Sequence, residues 1–83
     1  MENERTTMND PGTPRETRTF GENLRDARNH AGLSQQALAL NSGMDRAAIG
    51  IYENGGRQPR LDTILKLARA LENPPATLLR DLR

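Results

Sequence analysis

The chain has 83 residues, a formal net charge of +1 at pH 7, no cysteine and one histidine. This length allows one domain, and a domain of this size buries only about 60% of the surface of its unfolded chain, which argues against a large catalytic cavity. The composition also excludes disulfides, thiolate metal sites and histidine-rich metal sites. No apolar run approaches the roughly 18 residues of a membrane span and no signal peptide precedes the helical pattern, so a cytoplasmic protein is expected.

Residues 1–17 are predicted to form a disordered tail. This segment carries two arginines against four carboxylates, and its only apolar residues are two methionines. It cannot bury enough apolar surface to offset the entropy of ordering its backbone. The alternative is an arm that reaches DNA through Arg15 and Arg18, although the negative charge argues against that use for residues 1–14. Residues 18–83 carry ten basic and seven acidic groups and are predicted to form the folded domain.

Five short helices are predicted from the spacing of apolar residues, with no β-type alternation and no internal repeat. The first helix ends at Gly32, and its apolar stripe at i, i+4, i+7 and i+11 is Phe20, Leu24, Ala27 and Ala31. The fourth is predicted over residues 61–72, from the stripe Leu61, Ile64, Leu65, Ala68 and Leu71. Pro75 suits the first turn of a fifth helix, whose apolar residues are Leu78, Leu79 and Leu82.

The second and third helices follow each other closely. Ser34 is expected to cap the second, which runs to Asn41, and Asp45 is expected to cap the third, which runs to Asn54. Two short helices joined by a turn with Gly43 have the spacing of a helix-turn-helix, because glycine accepts the positive φ of such a turn. The predicted fold is therefore all-α, a compact bundle of five short helices with a helix-turn-helix in helices 2 and 3.

Three further positions fit this geometry. Ala39 is small where the two helices must pass closely, whereas Ile49 and Tyr52 are expected to point from the third helix into the core. Residues of these types occur anywhere in a chain, so each is weak evidence taken singly. Their joint spacing inside a five-helix pattern is strong evidence for the motif.

The stretch from Leu24 to Leu71 resembles the lambda-repressor-like, Cro/XRE-type helix-turn-helix regulators. The residues that carry the resemblance are Arg28, Gly32-Leu33-Ser34-Gln35, Leu38-Ala39, Gly43, Ile49, Glu53-Asn54-Gly55, Arg57, Pro59 and Leu61. The segment SGMDRAAIGIYENGGR is also similar to small controller proteins of restriction–modification systems. Three residues depart from the family pattern: Ala37 stands where an acidic residue is frequent, Tyr52 where an aliphatic residue is usual, and Gly50 is uncommon.

The resemblance implies that the third helix enters the major groove of DNA and that Arg46, Ala47, Gly50 and Ile51 face the base edges. Arg46 can donate two hydrogen bonds to a guanine, and Ala47 with Ile51 can contact thymine methyl groups. Gly50 leaves room for the Arg46 stem, although glycine inside a helix costs about 1 kcal/mol relative to alanine. The alternative is that Ile51 packs on a neighbouring subunit and Gly50 has no role.

Phosphate contacts are expected around this helix, from Gln35, Asn54, Gly55, Arg57 and Arg60. The resemblance implies that Gln35 binds a phosphate or braces Arg46, and that Asn54, Arg57 and the loop N–H groups near Gly55 hold the next phosphate. The first turn of the second helix adds N–H groups and a positive dipole. For each arginine the alternative is an ordinary solvated charge.

Arg28 and Glu53 are assigned a structural role. The resemblance implies that they form a partly buried ion pair between the first and third helices. Ser34 and His30 are close in sequence, but no acidic partner or oxyanion loop accompanies them, so no enzymatic activity is expected. No effector domain is visible, and neither a cofactor, a metal nor a small-molecule ligand is expected.

The chain is predicted to be a transcriptional regulator that binds double-stranded DNA sequence-specifically. A homodimer on a palindromic operator is expected, with half-site centres about 34 Å apart and a dimer surface formed by Leu78, Leu79 and Leu82. The alternative is an antitoxin, or another protein-interaction module, for which DNA binding is secondary. No membrane partner is expected. The sequence specifies neither the operator nor whether the output is repression or activation.

Overall fold

The computed structural model describes residues 14–82, so the disorder predicted for residues 1–13 lies outside the described residues. Residues 14–82 contain no strand, and their helices follow the predicted order. These are α1 (Pro14–His30), α2 (Gln35–Ser42), α3 (Arg46–Glu53), α4 (Leu61–Ala70) and α5 (Pro75–Leu78). The predicted all-α fold with a helix-turn-helix in its second and third helices is confirmed.

The first helix begins earlier than expected. Pro14 opens α1, and proline is well suited to this position because the first N–H groups of a helix have no intrahelical acceptor. Glu16 lies in the first turn, where a carboxylate interacts favourably with the helix dipole, and Thr17 is buried. The prediction that the tail extends to residue 17 is therefore wrong for residues 14–17. The apolar stripe that starts at Phe20 does not reveal this polar first turn.

A single core joins all five helices. Phe20 and Tyr52 meet edge to face with their ring centroids 6.4 Å apart, an arrangement that aromatic rings prefer. The predicted inward positions of Ile49 and Tyr52 are confirmed. The buried apolar residues are Phe20, Leu24, Ala27, Leu38, Ala39, Ile49, Tyr52, Leu67, Ala68, Leu71 and Leu78.

The buried face of α4 differs from the predicted stripe. Leu67 is fully buried, whereas Leu61 is 72% exposed and Leu65 is 38% exposed. The helix packs against both α2 and α5, so the face that it buries is set by two neighbours. It also ends at Ala70 instead of residue 72, because Glu72 adopts a left-handed conformation with φ 57°.

The fifth helix is a single turn rather than a helix that reaches Leu82. Leu78 is fully buried and therefore belongs to the core, which corrects its assignment to a dimer surface. The buried amide of Asn23 donates from Nδ2 to the carbonyl oxygens of Leu78 at 3.0 Å and Arg80 at 2.9 Å. These bonds hold the chain after α5 against α1.

Between residues 14 and 82 no helix is long and apolar enough to cross a membrane.

Candidate nucleic-acid interface

The turn between α2 and α3 is stabilised by hydrogen bonds at both of its ends. Ser34 Oγ accepts a bond of 3.0 Å from the N–H of Ala37, which confirms the predicted cap of α2. At the other end Gly43 has φ 72°, and the N–H of Met44 donates to the carbonyl oxygen of Ala39 at 3.0 Å. Because glycine accepts positive φ without steric cost, the predicted role of Gly43 is also confirmed. The turn fixes how α3 leaves α2.

The predicted base-contacting residues lie on the outward side of α3. Arg46 and Ala47 are exposed, and Gly50 and Ile51 are half-buried. The guanidinium of Arg46 has no hydrogen bond or ion pair with any residue between 14 and 82. Its five N–H donors are therefore free for an external acceptor.

Gly50 is not required by the packing of the chain. A Cβ atom built on it would meet nothing closer than the side-chain amide of Gln35, at 3.9 Å and 4.0 Å. Alanine at this position would raise helix stability by about 1 kcal/mol. No contact among residues 14–82 therefore explains why the centre of α3 lacks a side chain.

Only part of the Ile51 side chain is exposed for the predicted role in the groove. A Cβ atom on Gly56 would lie 3.3 Å from Ile51 Cγ2, so this methyl group rests against the loop that follows α3. Part of the Ile51 side chain thus covers the loop, and the remainder extends the apolar strip that begins at Ala47.

Asp45 starts α3 through its backbone alone. Its carbonyl oxygen accepts bonds from the N–H groups of Ala48 at 3.0 Å and Ile49 at 3.2 Å. Its carboxylate accepts no bond from the helix, so the prediction that the side chain caps α3 is wrong. Among residues 14–82 this carboxylate has no partner, and it is exposed beside Arg46. The sequence pattern is typical of a helix cap and does not reveal that the Asp45 carboxylate makes no cap bond.

The opposite end of α3 holds a buried carboxylate. The side chain of Glu53 is fully buried, and Arg28 donates to it through Nε at 2.5 Å and through Nη2 at 3.0 Å. The structure therefore contains the Arg28–Glu53 pair that the resemblance implied. Gln35 Nε2 donates to Glu53 Oε1 at 3.0 Å, and Arg25 Nε lies 3.5 Å from the same oxygen.

These contacts determine the charge state of the pair. Burial by itself raises the pKa of Glu53, but the hydrogen bonds from Arg28 and Gln35 and the nearby positive charges outweigh it, so its pKa lies below the ordinary value. The hydrogen bond to Glu53 raises the pKa of Arg28. Both side chains are therefore charged at neutral pH, and each compensates the burial of the other.

Gln35 braces Glu53 rather than Arg46, which corrects one of its two predicted roles. One amide N–H bonds the carboxylate, and the amide lies behind the bare surface of Gly50. The other N–H remains at the first turn of α2. This position still permits a phosphate contact.

The backbone donors after α3 are not available to a phosphate. The N–H groups of Asn54, Gly55 and Gly56 donate to the carbonyl oxygens of Gly50, Tyr52 and Ile51, at 3.0, 3.1 and 2.9 Å. The prediction that loop N–H groups near Gly55 bind a phosphate is therefore wrong. The role of Gly55 is conformational, because its φ is 74° and a Cβ atom there would lie 3.0 Å from Arg18 Cα.

The two arginines of the next loop differ in their surroundings. The guanidinium of Arg57 lies over the ring of Tyr52, 5.8 Å from its centroid, at the end of α3. Arg60 forms an ion pair of 3.4 Å with Asp62, and both side chains are largely exposed. Such surface pairs contribute little to stability. The structure thus places Arg57, but not Arg60, against α3.

Arg25 of α1 contacts the last end of α3, which the sequence pattern did not reveal. Its Nη2 donates to Asn54 Oδ1 at 2.9 Å and to the carbonyl oxygen of Glu53 at 3.4 Å. The available signal was its spacing, because residues 21, 25 and 28 share one face of α1. In the described part of the chain, no group of three potential metal ligands comes together.

Comparison with known proteins gives consistent matches. The profile of the family HTH_3, described as helix-turn-helix, matches residues 24–78. Control protein C.SmaI of Serratia marcescens is 43% identical over 60 residues, which cover 72% of this chain and 71% of that protein. An uncharacterized HTH-type transcriptional regulator from the SPbeta prophage of Bacillus subtilis is 42% identical over 52 residues, 63% of this chain. The chain spans about half (48%) of that regulator's length.

Solved structures agree with the sequence matches. The restriction-modification controller protein C.AhdI of Aeromonas hydrophila superposes with a TM-score of 0.73 at 47% identity, over 75% of this chain and 94% of that one. An HTH_3 family transcriptional regulator of Vibrio cholerae gives a TM-score of 0.78 at 26% identity, over 83% of this chain and 39% of its own. The family match covers α2 to α5 and the part of α1 from Leu24 onward. The chain therefore belongs to the HTH_3 helix-turn-helix family, the Cro/XRE-type group that the sequence resembles.

Proposed function

We propose that this protein is a transcriptional regulator that binds double-stranded DNA and reads its sequence by placing α3 in the major groove. The observation that carries the proposal is the outward face of α3. Arg46 there has no partner among the described residues, and Gly50 is bare although the fold would tolerate a side chain. A face without long side chains lets a helix approach base edges closely, so the lost helix propensity is explained by the ligand.

Direct readout is assigned to the first half of α3. Arg46 donates to O6 and N7 of a guanine, and Ala47 with the exposed part of Ile51 contacts thymine methyl groups. Gly50 leaves space for the Arg46 stem along the groove. Asp45, which is exposed beside Arg46, is the side chain able to favour a cytosine and to disfavour a close phosphate.

Phosphate contacts are assigned to both sides of α3. On one side lie the first turn of α2 and the remaining N–H of Gln35, where the helix dipole favours an anion. On the other side lie the amide of Asn54 and the guanidinium of Arg57, with Arg60 farther along the loop. These contacts fix the position of α3 without reading sequence.

The regulator is proposed to act as a homodimer on a palindromic operator. A monomer of this size presents one short recognition helix, and symmetric operators read by dimers place half-sites about 34 Å apart. The proposed surface is the apolar groove that Leu79 and Leu82 form with Phe20 and Pro59. Leu79 is 37% exposed on a surface where a second copy could cover it.

The matches to C.SmaI and C.AhdI support a narrower role. Both names describe control or controller proteins, and C.AhdI is a restriction-modification controller. We therefore propose that this chain controls a restriction–modification system, by repression or activation of a nearby promoter in the cytoplasm.

Selection of bound sites from random duplex DNA, followed by a salt titration on the enriched site, tests the function. We expect one palindromic motif and a linear fall of log affinity with log salt concentration. A duplex that carries the same half-site only once is the control for the dimer. Failure to enrich any motif would contradict sequence-specific binding and would favour the protein-interaction alternative.

A further inference from the structure

We propose that Arg25 of α1 is a positioning residue for DNA binding, which orients the side-chain amide of Asn54 so that its NH2 group faces the phosphate backbone. This inference rests on the proposed function. It assigns to α1 a part in the interface, in addition to its part in the core.

The face of α1 that carries Arg25 is pressed against the end of α3. A Cβ atom on Gly21 would lie 2.5 Å from the carbonyl oxygen of Tyr52 and 2.6 Å from that of Glu53, so only glycine allows this approach. Gly55 packs in the same way on the backbone of Arg18. The two backbones are in direct contact at residues 18 and 21, one to two helical turns before Arg25, so the stem of Arg25 starts close to residue 54.

The guanidinium of Arg25 meets three acceptors at this helix end, one of which is Glu53 Oε1, 3.5 Å from Nε. Its Nη2 lies 2.9 Å from Asn54 Oδ1 and 3.4 Å from the carbonyl oxygen of Glu53. The last carbonyl groups of a helix lack intrahelical donors and carry the negative end of its dipole, so a cation binds favourably there. The side chain remains 44% exposed, so the contact is at the rim of the interface and not in the core.

The chemistry of the two groups fixes the orientation of the amide. A guanidinium has five donors and no acceptor, so the atom of Asn54 that faces it must be oxygen. The NH2 group of Asn54 then points away from Arg25, and Asn54 is exposed. In a solvent-averaged amide the oxygen and the NH2 group would exchange places, and half of the orientations would present an acceptor to a phosphate.

Among the hydrogen-bond donors of residues 54–56, Asn54 Nδ2 is the one that is not used within the described residues. The backbone N–H groups of residues 54, 55 and 56 all donate to carbonyl oxygens within the protein. Between residues 54 and 56 the side-chain amide of Asn54 is therefore the only group able to donate to a phosphate. Its orientation decides whether the end of α3 attracts or repels the DNA backbone.

The test is a double-mutant cycle of Arg25→Met and Asn54→Ala on the selected operator. Arg25→Met keeps the stem and removes the donors. We expect it to weaken binding about three- to tenfold in the wild-type background, the worth of one hydrogen bond, and less than about twofold in the Asn54→Ala background. Arg25→Lys, which retains a charged donor, should restore part of the affinity. Arg69→Met removes an exposed arginine of α4 and is the matched control for charge.

A second arm uses the free protein, with 15N relaxation of the Asn54 side-chain amide and a thermal melt of each variant. We expect an ordered amide in the wild type and a mobile one in Arg25→Met, with a folded domain in both. An amide that is equally ordered in both proteins would show that Arg25 does not orient it and would overturn the proposal.

Two further outcomes contradict the proposal in different ways. If Arg25→Met loses the same affinity in both backgrounds and lowers the salt slope by about one, Arg25 itself contacts a phosphate. If it loses affinity in neither background, the orientation has no use in binding. A wild-type protein that selects no duplex would overturn the proposed function and the DNA part of this inference, whereas the relaxation data would still decide whether Arg25 orients Asn54.

Discussion

The two ends of α3 are built differently. At the first end, the Asp45 carboxylate caps nothing and Arg46 has no partner within residues 14–82. At the last end, Glu53 is fully buried and bonded by Arg28 and Gln35. The contrast shows that polar side chains anchor the helix to the domain at its last end only, whereas the first end is held by the turn and by core packing. The polar side chains of the first end have no partner within residues 14–82, as the proposed DNA contact requires.

Glu53→Ala should lower the free energy of unfolding more than any of the substitutions below. It leaves Arg28, which is largely buried, without its partner, and breaking a buried pair typically costs about 3–5 kcal/mol. Urea denaturation measures the loss. Asp62→Ala, which removes one partner of the exposed pair with Arg60, is the control and should change stability by less than about 0.5 kcal/mol. Equal effects of the two substitutions would remove the anchor from this account.

Lowering the pH should reduce the free energy of unfolding, through protonation of Glu53, by a fraction of that amount. The pKa of Glu53 is lowered in the folded protein, so its stabilisation is complete above the unfolded value of about 4.3 and is lost as the pH falls through the folded pKa. Urea denaturation of the wild type between about pH 6 and pH 3 should therefore show a steeper loss than that of Glu53→Gln, which lacks the titrating group. Parallel curves would contradict this assignment.

Gly50→Glu should separate binding from stability on the free face. Glutamate has a higher helix propensity than glycine, by several tenths of a kcal/mol, and the space at this position is open. The new carboxylate would face the phosphates, and we expect a loss of binding of about 3 kcal/mol, roughly 100-fold. Gly50→Ala controls for the added backbone stability. Normal operator binding by Gly50→Glu would show that α3 is not in the groove.

Arg46→Ala and Arg57→Ala should differ in kind. Arg46→Ala should cost about 1–3 kcal/mol on the preferred site and relax selectivity at one base position. Arg57→Ala should weaken all sequences similarly and reduce the salt slope by about one. Binding of each variant to the operator, to single-base variants and to unrelated duplex, at several salt concentrations, makes the distinction. The same pattern for both would mean that neither arginine reads a base.

The smallest expected effect compares two helix starts. Ser34→Ala removes a cap bond that is present and should cost about 1 kcal/mol, whereas Asp45→Ala removes none and should cost less than about 0.5 kcal/mol. Thermal melts of the two variants side by side measure the difference. A larger loss for Asp45→Ala would show that its carboxylate does cap α3.

Local patterns in the sequence were sufficient for the helices and the turn. Ser34 and Gly43 are recognisable because their roles depend on the neighbouring few residues. The burial of Leu67 and the exposure of Leu61 and Leu65 could not be predicted in this way. Which side of α4 is buried depends on where α2 and α5 pack. Spacing along the chain does not contain that information.

The site was predictable to the same extent. The identity of the exposed face of α3 follows from the motif, but the partners of its side chains do not. Gln35 donates to Glu53, and the N–H of Gly55 donates to the carbonyl oxygen of Tyr52. Both bonds lie at the end of α3 against which α1 packs. Arg25 and Asn54 lie 29 residues apart in sequence, and no local rule connects them.

The amide of Asn23 has a consequence for the order of folding. It joins residues 55 apart in sequence when it binds the carbonyl oxygen of Leu78. Contacts between residues so far apart in sequence require closure of a long loop, so we expect them to form after the local helix pairs. The groove of Phe20, Pro59, Leu79 and Leu82 is complete only when this loop has closed. We therefore expect the surface proposed for dimerisation to form only in molecules in which α3 is already packed.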